Sequence, residues 1–278
     1  MSPTGDADLL VAARSALLDA LEALHAHRDA VIVIGAQAIY LYTGAGEVAL
    51  AEATKDSDLA LDTRILPNEP LLEQAMTAAG FRRDLQSAQP GSWLSAAGIP
   101  VDLMVPESLA GPSGRRGARI PPHSKHAARR AAGLEAALID HVSMVVKALA
   151  PGDDRAYAAN VAGPSALLVA KLHKLGERQD TPGRLVDKDA HDLYRLLRVV
   201  PTSRFVSTLP QLAQDELAGM VTKQALTYLD DLFAAGADAP GSIMAGRAEE
   251  GVGDPLVVSA SVALLAQDLL AATSHEPG

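Results

Sequence analysis

The chain has 278 residues, 48% of them hydrophobic and 21% charged, enough apolar material for one large domain or two ordinary ones. A formal net charge of −10 argues against a broad nucleic-acid-binding surface, and the absence of cysteine excludes disulfides and thiolate metal sites and suits a reducing cytoplasm. MSPTGDADLL carries no secretory pattern, and no apolar run approaches the ~20 residues of a membrane helix, so no membrane partner is expected.

In chain order, Leu10, Ala13, Leu17, Ala20, Leu21 and Leu24 recur at helical spacing and predict an amphipathic helix over 7–27, capped near Thr4 or Asp6. AVIVIG (30–35) reads as a buried strand ending in glycine, and AQAIYLYTG as a helix closed by Gly44. DLALD (58–62) is a second strand, and NEPLLEQAMTAAG (68–80) a helix stopped at a glycine. Short strands are predicted near 81–85 and 91–96, with a better one at IPVDLMV (99–105). LEAALI (134–139) fits either a strand or a short helix, and PGDDRAYAANVAGPS (151–165) reads as a turn-rich connection. From Ser165 onward, helices are predicted over 165–178, 187–198, 203–219, 222–235 and 255–272, the last two separated by AAGADAPGSIMAGRAEEGVGDP. The predicted fold class is α+β: a mixed sheet with helices over 1–150, then a helical part over 151–278.

The chemistry starts at ATKDSDLALD (53–62). Side chains two apart on a strand share a face, so Asp56 and Asp58 become close carboxylates that a divalent cation would make tolerable. Asp102, embedded in IPVDLMV, can join them from a neighbouring strand, making a hard-oxygen cluster suited to Mg²⁺ or Mn²⁺. The plainer alternative is that Asp56 caps a turn and Asp58 is a strand-edge charge. Gly35 and Ala36 stand where a strand meets a helix, and the free N–H groups of a first helical turn favour an anion. Neither G-x-G-x-x-G nor a Walker motif is present.

Farther on, Leu168, Leu172 and Leu175 make a core stripe, with Lys171, Lys174 and Arg178 as a cationic stripe beside it. Asp189 and Asp192 share a face of the next helix. The two stripes are either an interhelical ionic set or a triphosphate grip in which one aspartate orients the attacking group or supports a lysine. His173 and His191 read as surface or packing residues, with no zinc pattern. Between Glu107 and Glu135 no acidic residue occurs, while Arg115, Arg116, Arg119, Lys125, Arg129 and Arg130 do. That segment is either a solvated loop or a local contact for a phosphate backbone beside a site.

Together, the strand–Gly–helix, the T-K-D-x-D-L motif some twenty residues later and V-D-L-M resemble the nucleotidyltransferase fold of the DNA polymerase β type. More narrowly, GAQAIYLYTG, TKDSDLAL, AKLHKLGER and DKDAHDL resemble the AbiEii and MenT-type nucleotidyltransferase toxins of bacterial toxin–antitoxin pairs, over about residues 28–198.

The resemblance implies metal-binding carboxylates at Asp56 and Asp58, with Asp102 in the superfamily's third-carboxylate position and Lys55, beside the pair, as a nucleotide-binding residue. The family's Gly-Ser or Gly-Gly turn falls on Gly35-Ala36, where alanine removes a hydroxyl. K-L-x-x-L-x-x-R falls on Lys171, Leu172, Leu175 and Arg178, implying nucleotide-phosphate contacts from Lys171, with Lys174 and Arg178 in support. K-D-x-x-D falls on Lys188, Asp189 and Asp192, one aspartate being implicated. The implied reaction is attack of an acceptor hydroxyl on the α-phosphorus of a nucleoside triphosphate, with release of pyrophosphate and Mg²⁺ (or Mn²⁺) as cofactor. The implied acceptor is the 3′ end of tRNA, contacted by the basic segment, and the implied further partner is a cognate antitoxin. The helical part would complete the nucleotide and acceptor site of the nucleotidyltransferase domain over 1–150. The competing readings are transfer to a small molecule such as an antibiotic, transfer to a protein side chain, and a catalytically degenerate nucleotide-binding regulatory module.

Overall fold

A computed structural model describes residues 3–44, 56–87, 89–112, 116–178 and 186–274. Lys55 and Arg115 lie outside the described residues. The fold is α+β, and the chain divides into two compact units. The first comprises Met1–Ala38 and Ala53–Ala162, the second Ile39–Glu52 and Gly163–Gly278, so the division falls inside a helix and then beyond the expected boundary near 150.

The first unit is built on one sheet. Helix α1 (Pro3–Ala23) precedes β1 (Val31–Ile34), all four residues of which are buried, as a continuous apolar run requires. Gly35 opens α2 (Gly35–Thr43), and β2 (Ser57–Leu61) follows. Helix α3 (Leu72–Ala78) is shorter than predicted, because Pro70 disfavours helical geometry at Glu69. Then come β3 (Arg82–Arg83), β4 (Ser92–Leu94), β5 (Pro100–Pro106), β6 (Arg129–Ala131), β7 (His141–Lys147) and β8 (Ala156–Ala162). The sheet order is β3-β4-β5-β2-β1-β8-β7, with β6 also pairing β5. LEAALI resolves as a buried 3₁₀ turn over Glu135–Leu138.

Two predictions for this unit fail. The turn-rich connection contains β8, and β7 pairs antiparallel with it along its whole length. AYAANVA is alanine-rich and weak in β propensity; its strand exists because Ile32 and Val33 pair with Asn160 and Val161 in parallel. The basic segment is also not wholly loop, since Arg129 and Arg130 are in β6, opposite Met104 and Val105.

The second unit is helical: α4 (Pro164–Gly176), α5 (Asp187–Val199), α6 (Thr202–Gln214), α7 (Gly219–Leu229), α8 (Pro240–Arg247) and α9 (Pro255–Ser274). The helix predicted over 203–219 breaks at Asp215, whose Oδ1 accepts 2.8 Å hydrogen bonds from the Leu217 and Ala218 N–H groups. Helix α8 forms inside the stretch that the sequence marks as a break; Pro240 stands in its first turn, where proline costs no hydrogen bond. Leu168, Leu172 and Leu175 are buried as predicted, and so are Leu193, Leu196, Phe205, Phe233 and Val262 of the same unit. Contrary to the reading of the sequence, α9 is long and apolar enough to cross a membrane by length and composition, with 33% of its apolar window buried.

Candidate active site

The register of the sheet builds the first cluster. Ile34 stands opposite Asp58, Asp58 opposite Asp102, and Asp102 opposite Ser92, so a single row crosses four strands. Residues directly opposite each other on paired strands present their side chains to the same face. Asp58 and Asp102 are thereby neighbours, as the sequence predicts, and both are half-buried. Ser92, buried in the same row, escapes a reading of the sequence; its one signal is alternation with the apolar Trp93.

Gly35 ties this row to the start of α2. Its φ is +69°, a left-handed conformation open to glycine, and a Cβ there would collide with the Asp58 carboxylate. The Asp58 side chain therefore packs directly on the glycine turn. Ala36, buried beside it, offers backbone N–H but no hydroxyl. Asp56 immediately precedes β2 and is half-buried.

Asp102 has a second attachment: Arg129 donates to its Oδ2 from Nη2 at 3.0 Å and from Nε at 3.3 Å. The third carboxylate of the predicted cluster thus carries a cation from its own chain. Among the described residues no group of three or more His, Asp or Glu is arranged to hold a metal ion. Asp58 in β2 and Asp56 just before it are carboxylates, a hard-oxygen donor type. That fits Mg²⁺, which binds through one or two carboxylates plus substrate phosphates and keeps several waters.

The predicted acceptor residues separate. Arg130 Nη2 donates to the carbonyls of Ala110, Gly111 and Pro112, and Nη1 lies 3.7 Å from Glu107, so this arginine knits its own loop together. Arg129 serves Asp102. Arg116 and Lys125 are exposed, and so is Arg119.

The second cluster is within the helical unit. Lys171 is 6% exposed, and its Nζ donates to Asp189 Oδ1 and Asp192 Oδ2, each at 2.7 Å. Lys174 Nζ donates to the same Asp189 oxygen at 2.9 Å, and Arg178 approaches Asp189 Oδ2 at 3.7 Å. Of the two arrangements open to the sequence, the interhelical ionic set is what α4 and α5 form. Burial alone would lower the Lys171 pKa, but Asp189 and Asp192 outweigh it and hold the ammonium well above its ordinary range. Burial alone would raise the Asp189 carboxyl, but Lys171 and Lys174 outweigh it and hold the group well below the usual carboxylate range. The histidines are core residues: His173 Nε2 bonds the Val221 carbonyl at 2.8 Å, and His191 Nε2 meets Glu249 Oε1 at 2.6 Å.

The candidate site is thus a mixed sheet that sets an aspartate from β2 against the glycine turn after β1, with a second carboxylate opposite it on β5. Residues 13–217 match the family model described as Nucleotidyltransferase, and the chain belongs to that family. It is accordingly a transferase enzyme. A solved chain from H. pylori, provisionally named a nucleotidyltransferase, is 10% identical over 100% of both chains with a TM-score of 0.36, a likeness too slight to carry an argument. No curated protein matches the chain.

Proposed function

We propose that this nucleotidyltransferase transfers nucleotides from a nucleoside triphosphate to the 3′ end of tRNA, with a divalent cation (Mg²⁺ or Mn²⁺) held by Asp56 and Asp58, and that it acts as the toxin of a toxin–antitoxin pair with a cognate antitoxin as partner. The contact between Asp58 and Gly35 carries the catalytic part of this reading, because it couples a cation-binding carboxylate to the helix start that favours phosphate. The motif order shared with the AbiEii and MenT-type toxins supports the acceptor and the biological role.

The chain's residues divide the work. The backbone N–H groups at Gly35 and Ala36 receive phosphate oxygens. When bound, the cation would neutralise charge gathering on the departing pyrophosphate. Asp102, oriented by Arg129, positions the attacking hydroxyl of the acceptor. The new bond joins that oxygen to the α-phosphorus as its proton passes to the Asp102 carboxylate, and the bond from the α-phosphorus to the pyrophosphate oxygen breaks. In the helical unit, Lys171 organises Asp189 and Asp192. Lys174, with its side chain 40% exposed, and Arg178, 27% exposed, are the cations of that cluster that a phosphate can reach.

The test is transfer of α-phosphate-labelled nucleotide to tRNA. Asp58→Ala should lose at least about a hundredfold in rate, as removal of a principal charge-stabilising group does. Undiminished labelling by that variant would sink the assignment.

A further inference from the structure

Asp102 stands between an aspartate and an arginine of its own sheet. On β5, Met104 pairs with Ala60 of β2 along one edge and with Arg129 of β6 along the other. Met104 and Asp102 are two apart on one strand, so Arg129 shares the face of Asp102 and Asp58. The guanidinium therefore approaches Asp102 from the edge of β5 opposite the one that Asp58 occupies. Its two hydrogen bonds, from Nη2 at 3.0 Å and from Nε at 3.3 Å, both fall on Oδ2. The side chains are 25% exposed for Arg129 and 16% for Asp102, so water screens the pair only in part.

The backbone around Arg129 is fixed on both sides. The Ala118 N–H donates to the Ala128 carbonyl, and the Arg130 N–H to the Arg116 carbonyl, each at 3.0 Å. Gly91 has φ +79°, and a Cβ on it would strike the Leu103 carbonyl and the Arg129 N–H, so only glycine lets β6 approach this closely. Arg129 is thus built into the site rather than swinging at the surface.

A carboxylate already answered by a guanidinium is a poorer ligand for a second cation, because the two cations repel each other across it. Among the described residues, accordingly, no three carboxylates are arranged to hold a metal ion. With Oδ2 engaged, Oδ1 is the oxygen that an acceptor hydroxyl can use. We propose that Arg129 is a positioning residue that keeps Asp102 out of the cation's coordination shell. Asp56 and Asp58 hold the divalent cation without it, and Asp102 is kept for the acceptor hydroxyl. This deepens the proposed function and rests on its cation at Asp56 and Asp58.

The experiment measures Mn²⁺ binding to the full chain without nucleotide, by loss of the free-ion electron paramagnetic resonance signal. Arg129→Gln frees Asp102 and should bind Mn²⁺ roughly tenfold more tightly than the parent. Adding Asp102→Asn to Arg129→Gln removes both charges together and should return the affinity to that of the parent. Arg129→Gln should also lower kcat for nucleotide transfer roughly tenfold with the nucleotide KM unchanged, because Asp102 no longer waits where the hydroxyl arrives. Arg129→Lys, which keeps the charge, should restore most of both readouts, as a loss of fold would not allow. Arg129→Gln binding Mn²⁺ no more tightly than the parent would overturn the proposal. So would a double variant that binds it tenfold more weakly, since Asp102 would then be a ligand in the parent. Asp58→Ala separates this proposal from the reading beneath it. If Asp58→Ala binds Mn²⁺ like the parent, the cation assignment fails and takes the role of Arg129 with it. If Asp58→Ala and the double variant both lose Mn²⁺, the cation assignment stands and only the role of Arg129 fails.

Discussion

The two ionic clusters of this protein use the same residue types to opposite ends. In the sheet unit, Asp58 rests on the Gly35 turn, and Asp102 beside it is held by Arg129. In the helical unit, Asp189 gathers three cations, Lys171, Lys174 and Arg178, and is almost wholly buried. The first arrangement sets half-buried carboxylates beside backbone N–H groups, a setting suited to a cation that arrives with substrate. The second neutralises its carboxylates internally, which orders two helices against each other. A carboxylate's use is set by how much of its charge the fold has already answered.

That contrast can be broken most forcefully at Lys171. Replacing it with methionine leaves Asp189 and Asp192 buried without their central partner and should cost about 3–5 kcal/mol, read as a fall in urea midpoint and melting temperature. Restoring stability by adding Asp189→Asn and Asp192→Asn would confirm that the loss is electrostatic. If Lys171→Met alone melts like the parent, the cluster is not the structural knot described.

At the other cluster, Gly35→Ala should act mainly on activity. The new methyl meets the Asp58 carboxylate and sits on a backbone at φ +69°, a strain of about 1–3 kcal/mol. Transfer should fall by at least tenfold, toward the level of Asp58→Ala, while the melting temperature falls by roughly 2–12 °C. Equal activity in Gly35→Ala would separate the turn from the chemistry.

The smallest effect sharpens the comparison through acid. The Asp189 pKa is depressed in the folded state, so the stability it contributes is fully present above its unfolded value near ~3.9 and is lost as pH falls through the folded pKa. The loss is at most about 1.4 kcal/mol per pH unit for one proton. Urea titrations below pH ~4 should show the parent weakening more steeply than a variant carrying Asp189→Asn. Parallel curves would assign the acid sensitivity elsewhere.

What can be read from the chain alone is whatever depends on neighbours in sequence. AVIVIG and AQAIYLYTG declare a strand, a glycine and a helix within a few residues, and DLALD declares a strand with a carboxylate at its start. Hydrophobic period and punctuation are local, and the D-x-D motif sits inside such a stretch. The Lys171, Asp189 and Asp192 stripes are legible too, though the sequence leaves open whether they bind a ligand or one another.

Tertiary structure decided the rest, because the partners are far apart along the chain. Strand β8 has the composition of a loop and becomes a strand by pairing with β1 and β7. In the sequence Arg129 is one cation among six until β6 places it on Asp102. Local pattern specifies which elements form and which faces they bury. Register and packing, set by burial summed over the whole chain, specify which charges meet and therefore which remain available for chemistry.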